Sequence, residues 1–426
     1  MESLSETLWD VVICGTGLQQ SLLALALSRS KKNILHIDPN QYYGGSEAAL
    51  TLAEADAWAA SRSNASAVYY SPASDSAPKL GPRSSYSFAL APQFLHARST
   101  LVDLLVTSRA YRQLEFLAVS SFFVLEESLS TSQPSIVRIP ATREDVFANT
   151  AMQARAKRQL MKFLKFVLAY GEEVSAEGTE RVANTGNKPL WKLHASEPMG
   201  AFLRSQFGLD DRLCDNVLAL TMSLDGANVP VSEGLARLHR QITSMGLFGP
   251  GFAAVYPKWG GCGEIVQVAC RAAAVGGGVY MLGSGICSMK TVASEDKVDK
   301  DGQDELIELG LTRDLTIKTK LLVRGSEEIM ETTSEPGAAP VSSNGRGAQI
   351  SRLIAVVGAP LPFLFAPTVE GAPVAGGAVI ALPAGRRLVS TGDPISAKHP
   401  IFVIAHSSDT GECPAGQSKS SFLQST

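Results

Sequence analysis

Apolar positions in this chain gather into short runs punctuated by glycine, and the pattern is densest over residues 9–45. Val11, Val12, Ile13 and Cys14 are consecutive and apolar, as in a strand buried on both faces. Gly15-Thr16-Gly17 follows as a tight turn, and residues 21–28, rich in Leu and Ala, predict a helix. A second run, Ile34-Leu35-His36-Ile37, ends in Asp38. Strand, glycine turn, helix and strand together predict a βαβ unit, and the rest of the chain must cover its sheet. Further along, the pattern predicts helices over 47–60 and 99–107, a glycine turn at 259–264 leading into a helix through Ala274, and strands over 86–90, 115–125 and 279–282. Strand candidates follow at 306–311, 315–323, 354–357 and 401–405, while 353–383 reads as sheet and glycine-rich turns.

This order predicts an α/β protein in three sequence blocks. Residues 1–138 form the first part of a sheet domain, with a Ser/Ala/Pro-rich inserted loop at 53–82. Residues 139–245, entered through Ile139-Pro140 and an N-cap at Thr142, read as an inserted all-helical domain with loops at 171–189 and 225–231. Residues 246–426 return to the sheet, carrying an insert at about 294–349 that reads as partly disordered.

The glycine turn bears directly on chemistry. A dinucleotide fingerprint needs G-x-G-x-x-G, with an acid at the end of the second strand for a ribose hydroxyl. Gly15, Gly17 and Asp38 fit, but the third glycine is replaced by Gln20. A long amide there crowds the helix start where a pyrophosphate would lie. Two readings stand, a working nucleotide site and a retained scaffold without its cofactor, and the missing glycine favours the second.

Composition removes other classes. The 426 residues are 45% apolar and 19% charged, with a net charge of −3, so no nucleic-acid partner is expected. No secretory signal, lipidation motif or apolar run of about 18 residues without breakers is found. Six cysteines without a C-x-x-C pair suggest buried free thiols and a cytoplasmic location. His36 lies inside an apolar strand and reads as a core histidine. No zinc spacing, nucleophile elbow or P-loop is present.

Over 153–168, Arg155, Arg158, Lys162 and Lys165 fall on one stripe at helical spacing, and Leu160, Phe163, Leu164 and Val167 on the other side. Phe166 projects beside the cations. This is either a solvated face with one stray aromatic or a docking surface. Glu264 and Arg271 lie two turns apart on one helix face, and Tyr42-Tyr43 precedes a Gly-Gly turn.

Several separated blocks together resemble the Rab escort protein and Rab GDP-dissociation inhibitor family. They are DVVICGTGLQQSLLALAL, LHIDPNQYYGG, YSFALAPQFLHARSTLVDLLV, ARAKRQLMKFLKF, YPKWGGCGEIVQVACRAAAVGGGVYML and HSSDTGECPAG. The MKFLKF helix, the inserts and the last block resemble escort proteins, the accessory component A of Rab geranylgeranyltransferase, more than the shorter inhibitors. The resemblance implies a flavin-monooxygenase-like sheet domain without a cofactor and no catalysis by the chain itself. It implies binding of GDP-bound Rab GTPases, escort to the geranylgeranyltransferase heterodimer, shelter of the geranylgeranyl lipid, and peripheral membrane contact during delivery. By motif, Tyr42, Glu264, Gln267, Arg271, Val279 and Met281 would contact the GTPase, and Arg109, Tyr111 and Phe116 its C-terminal tail. Arg158, Lys162 and Phe163 or Phe166 would face the transferase, and Leu218, Leu220 and Met222 would line the lipid pocket. A recycling inhibitor and a flavin-dependent oxidoreductase are the alternatives. Family members usually continue beyond HSSDTGECPAG through another strand and helix, whereas this sequence stops at Thr426.

Overall fold

The computed structural model describes residues 2–70, 79–127, 134–141, 143–150, 152–177, 189–293, 305–325, 349–367, 370–388 and 395–425. The βαβ pattern builds a four-stranded parallel sheet in the order Val279–Leu282, Ile34–Asp38, Val11–Cys14, Leu322–Arg324. Its two central strands are buried at every position, which explains why they are continuously apolar rather than alternating. Helices Leu18–Leu27 and Cys262–Val275 cover one face, meeting Ile13, Ile34 and Tyr280. An antiparallel meander of Ile286–Ala293, Glu305–Leu311 and Leu315–Thr319 covers the other, meeting Val12, Leu35 and Ile37. The alternation of odd and even positions along each strand sorts these contacts.

A second, larger sheet holds Ile350–Val357, Ser418–Ser425, Ile401–Ser407, Ala375–Leu382, Phe116–Glu127, Ala254–Pro257 and Leu95–His96 in that order, with Pro134–Arg138 on Phe116–Glu127. Helices Ala154–Glu177, Met199–Phe207, Asp211–Thr221 and Val231–Ser244 gather around Phe163, Val167, Phe202, Phe207, Val217 and Leu235. Through Ala219 and Leu220 the helix Asp211–Thr221 also packs on Phe122 and Val124 of the second sheet. Among the described residues, no helix is long and apolar enough to cross a membrane, and no group of side chains is arranged to hold a metal.

Four expectations are corrected. Residues 315–323 do not form one strand. Leu315–Thr319 pairs in the meander, the chain steps across at Lys320-Leu321, and Leu322–Arg324 joins the parallel sheet. Within the stretch expected as sheet and glycine-rich turns, the glycines of 375–382 make no turn, and Ala375–Leu382 is the central strand of the second sheet. Its glycines are there for close approach, since a Cβ on Gly376 would meet Leu117 Cδ1 at 2.6 Å. The helix expected over 47–60 starts at Leu52, behind a Thr51–Glu54 capping box, and Glu47 lies in the turn before it. The helix of the basic stripe runs on to Glu177, into the loop expected at 171–189. The inserts expected at 53–82 and 294–349 each lie partly outside the described residues.

Candidate functional site

Three places compete for function: the niche below the glycine turn, the surface of the Cys262–Val275 helix, and a cavity beneath the long helix. In the niche, the acid and the first helix N–H that would serve a dinucleotide are engaged within the chain. Asp38, 1% exposed, accepts from Thr16 N at 2.7 Å and Thr16 Oγ1 at 2.6 Å through Oδ2. Its Oδ1 accepts from Asn40 N at 2.7 Å and Asn40 Nδ2 at 2.9 Å. The Glu47 carboxylate lies at the start of the Leu18–Leu27 helix and accepts from Leu18 N at 3.4 Å. A carboxylate there takes the electrostatic role a phosphate would have. Gln20 folds over the turn, its Oε1 2.8 Å from where a Gly17 Cβ would be. His36 Nε2 donates to Gly15 O at 2.6 Å, and burial pushes its basicity below the ordinary histidine value. These residues do not fit a dinucleotide.

The Cys262–Val275 helix buries Ile265, Val266, Val268 and Ala269 and exposes Gln267 and Arg271. Glu264 is half-buried. Burial raises its pKa, and the nearby Arg271 opposes the rise. Tyr42 packs on Ala48, Leu50 and Leu90. Gly263 stands against the same segment, where a Cβ would meet Glu47 O and Ala49 N at 2.9 Å. Tyr42 and the first turn of the helix are thus brought together by one short stretch. Val279 and Met281 lie on the edge strand, but Met281 packs with Leu309 and Ile317 on the meander side, whereas Tyr280 faces the helix. The edge strand therefore presents Val279 and Met281 on the face opposite the helix.

Of the tail-binding expectations, Arg109 is exposed in the left-handed region at φ +62°, just after the Thr100–Ser108 helix, and Tyr111 is exposed. Phe116 is partly buried and packs against the core beneath the helices.

The cavity has a volume of about 380 Å³. Its walls come from Leu160, Met161, Phe163 and Leu164 of the long helix, Leu213, Val217 and Leu220 of the next, Leu238 and Ile242 of a third, and Phe122 and Ile139 of the sheet. Polarity is limited to Asn216 and Gln241, whose Oε1 accepts from His96 Nε2 at 2.8 Å. Of the three residues expected to line a lipid pocket only Leu220 does so. Leu218 is buried in the helical core, and Met222 turns off the helix end at φ +49° onto the sheet. Spacing by two suits a strand, whereas Leu213, Asn216, Val217 and Leu220 follow the helical period.

On the long helix Arg155, Arg158, Lys162 and Lys165 are exposed. Phe163 is 1% exposed, edge-on to Phe207 at 5.1 Å, and so presents no surface for docking. Phe166 is half-buried against Phe202 and Phe207 and keeps one flank open beside the cations.

A network with no obvious sequence signal supports the start of the Cys262–Val275 helix. Glu412, fully buried, accepts from Lys419 Nζ, from His406 Nδ1 and, at 2.8 Å, from Tyr256 Oη. Burial alone would raise the Glu412 pKa, but Lys419 and His406 hold it down to about 2. Burial lowers the His406 pKa, and Glu412 opposes the shift. Backbone bonds from Trp259 N to Thr410 O (2.8 Å) and Ser87 N to Glu412 O (3.0 Å) tie this hairpin to the turn before the helix.

The GDP dissociation inhibitor family matches residues 4–307, and the chain belongs to it. It is similar to "Rab proteins geranylgeranyltransferase component A" of Saccharomyces cerevisiae, at 34% identity over 285 residues covering 66% of this chain and 44% of that protein. The chain therefore spans less than half the length of that relative. Among solved structures it resembles a Rab GDI from Plasmodium falciparum with a TM-score of 0.63 at 19% identity, covering 98% of this chain and 82% of that one. It also resembles an oxidoreductase from Methanosarcina mazei with a TM-score of 0.56 at 13% identity, covering 98% and 79%. The fold is thus the α/β fold shared by that Rab GDI and that oxidoreductase.

Proposed function

We propose that the chain is a non-catalytic escort that binds GDP-bound Rab GTPases, presents them to Rab geranylgeranyltransferase and keeps the lipidated product in solution. The observation that carries this reading is the apolar cavity of about 380 Å³ between the helices and the second sheet, in a chain of the GDP dissociation inhibitor family. Each buried methylene of a prenyl chain contributes about 0.8 kcal/mol, so a dry cavity competes with a bilayer for the same chain. On this reading Tyr42, Glu264, Gln267 and Arg271 contact the GTPase, with Val279 and Met281 reached around the sheet edge. Arg109 and Tyr111 guide its tail toward the cavity. Arg158, Lys162 and Phe166 face the transferase. The occupied niche at Asp38, Glu47 and Gln20 supports a scaffold that works without a redox cofactor.

A recycling inhibitor is the second reading, supported by the fold shared with Rab GDI. Reconstituted prenylation separates the two. Adding the protein to a purified Rab GTPase, transferase heterodimer and geranylgeranyl diphosphate should turn on lipid transfer in the presence of GDP. Extraction of prenylated Rab from membranes without any stimulation of transfer would favour the inhibitor, and neither activity would overturn both.

A further inference from the structure

Trp259 is a bulky residue in the left-handed region at φ +66°, a conformation that costs free energy and persists only where its surroundings impose it. It is also 44% exposed, so burial of the indole does not repay the strain. The surroundings are specific. Trp259 N donates to Thr410 O at 2.8 Å, and Ser87 Oγ donates to Trp259 O at 2.6 Å. Gly411 lies against the indole, where a Cβ would meet Trp259 Cδ1 at 2.5 Å. Lys258 Nζ, 3.1 Å from Glu115, stands 4.9 Å over the ring. Behind the turn, a Cβ on Gly261 would meet Tyr256 Oη at 2.7 Å, and Tyr256 is fixed by Glu412. A buried charge network and a hairpin some 150 residues away thus hold one aromatic ring outward.

We infer that Trp259 is an aromatic anchor of the surface that receives the GDP-bound Rab GTPase, seated beside Tyr42 and Glu264, and that the 406–419 hairpin positions it. The inference rests on the proposed function. Its geometric support is continuity: Trp259 directly precedes the Cys262–Val275 helix, and Gly260 and Gly263 of that turn stand on Ala49, in the stretch against which Tyr42 packs. Rigid aromatic side chains at the centre of an interface carry a disproportionate share of binding. The occupant must offer an apolar recess for the indole.

Trp259→Gly tests the assignment, because glycine is at home at this φ. With an unprenylated, GDP-loaded Rab GTPase as probe, so that the lipid cavity plays no part, affinity should fall at least tenfold while Tm is unchanged or higher. Two glycines of the hairpin test the positioning. Gly411 (φ +74°) and Gly416 (φ +82°) carry the same backbone strain on substitution, but only Gly411 touches Trp259, nothing lying within 4 Å of a Cβ on Gly416. Gly411→Ala should weaken binding at least fivefold and Gly416→Ala less than twofold, at similar losses of Tm. Binding by Trp259→Gly within twofold of wild type, or equal weakening by the two alanines, overturns the inference. Failure of the wild-type protein to bind the probe is a different result, which removes the proposed function and this inference with it.

Discussion

The cavity wall contains residues that line it without holding the fold, and these give the most direct test of lipid binding. Leu160 and Phe163 border the cavity and also belong to the helical core. Leu164 borders it from the same helix, is only partly buried, and takes no part in the core clusters. Leu164→Ala removes roughly three methylene equivalents at about 0.8 kcal/mol each, and contact of about half of this with a bound chain is worth about 1 kcal/mol. That corresponds to about a fivefold loss of lipid affinity. Leu164→Glu goes further. In the free protein the new carboxylate reaches solvent, but a seated prenyl chain must bury it without a partner, a cost of about 3 kcal/mol or more. The expected loss exceeds about 100-fold.

The assay is a titration with a fluorescent geranylgeranyl analogue, with urea unfolding run on each variant. Both substitutions should leave unfolding free energy within about 1 kcal/mol of wild type, in line with a partly buried site. Leu164→Glu binding the analogue within threefold of wild type would refute the reasoning, because the lipid would then lie elsewhere.

Two further outcomes follow from burial. Phe163→Ala should cost about 3–5 kcal/mol of stability in urea unfolding, as for a ring lost from a packed core. Phe166→Ala should cost far less, weaken association with the transferase heterodimer in pull-down or calorimetry, and leave GDP-Rab binding intact; lost Rab binding would show that the face is misassigned. As to pH, burial lowers the pKa of His36, His96, His239 and His406 below the ordinary value of 6.5. The unfolded chain then binds more protons than the folded one below that value, so this stability is present above pH 6.5 and is lost as pH falls through the folded values. Tm should be level from pH 8 to about 7 and fall as pH drops below about 6.5; a Tm that is flat or rises there contradicts the placement of these rings.

The sequence was legible where one physical signal acted alone. Continuous apolar runs at 11–14 and 34–37 could only be strands covered on both sides, and they lie at the centre of the parallel sheet. The basic stripe and its apolar counterface were equally plain, because a helical period sorts them without tertiary information. Reading failed where tertiary contact reversed a local signal. Glycines at 376 and 377 suggest turns, yet they mark a close strand crossing in the middle of the second sheet. The break at Lys320-Leu321, where one stretch serves two sheets, has no local signature, since no glycine or proline marks it and both halves favour a strand. Leu160, Phe163 and Leu164 read correctly as inward-facing, but whether inward means core or cavity depends on the spacing of neighbouring helices. The clamp on Trp259 was out of reach for a related reason: it joins residues 87, 256, 259 and 406–419, which only the folded chain brings together.

The replaced glycine at position 20 is a small part of why the niche and a dinucleotide are incompatible. Asp38 meets four donors from Thr16 and Asn40, and freeing it for a ribose would strand those donors in a buried turn. Leaving buried polar groups unpaired costs more than a new hydrogen bond to a ligand returns. Glu47 adds a negative charge at the helix start, where an incoming phosphate would meet repulsion rather than a free N–H. Thr16 Oγ1 also accepts from Gly44 N at 3.0 Å, so the same bonds fix the turn that carries Tyr42 and Tyr43. The bonds that occupy Asp38 on the inside therefore also fix the loop that carries Tyr42 and Tyr43 on the outside.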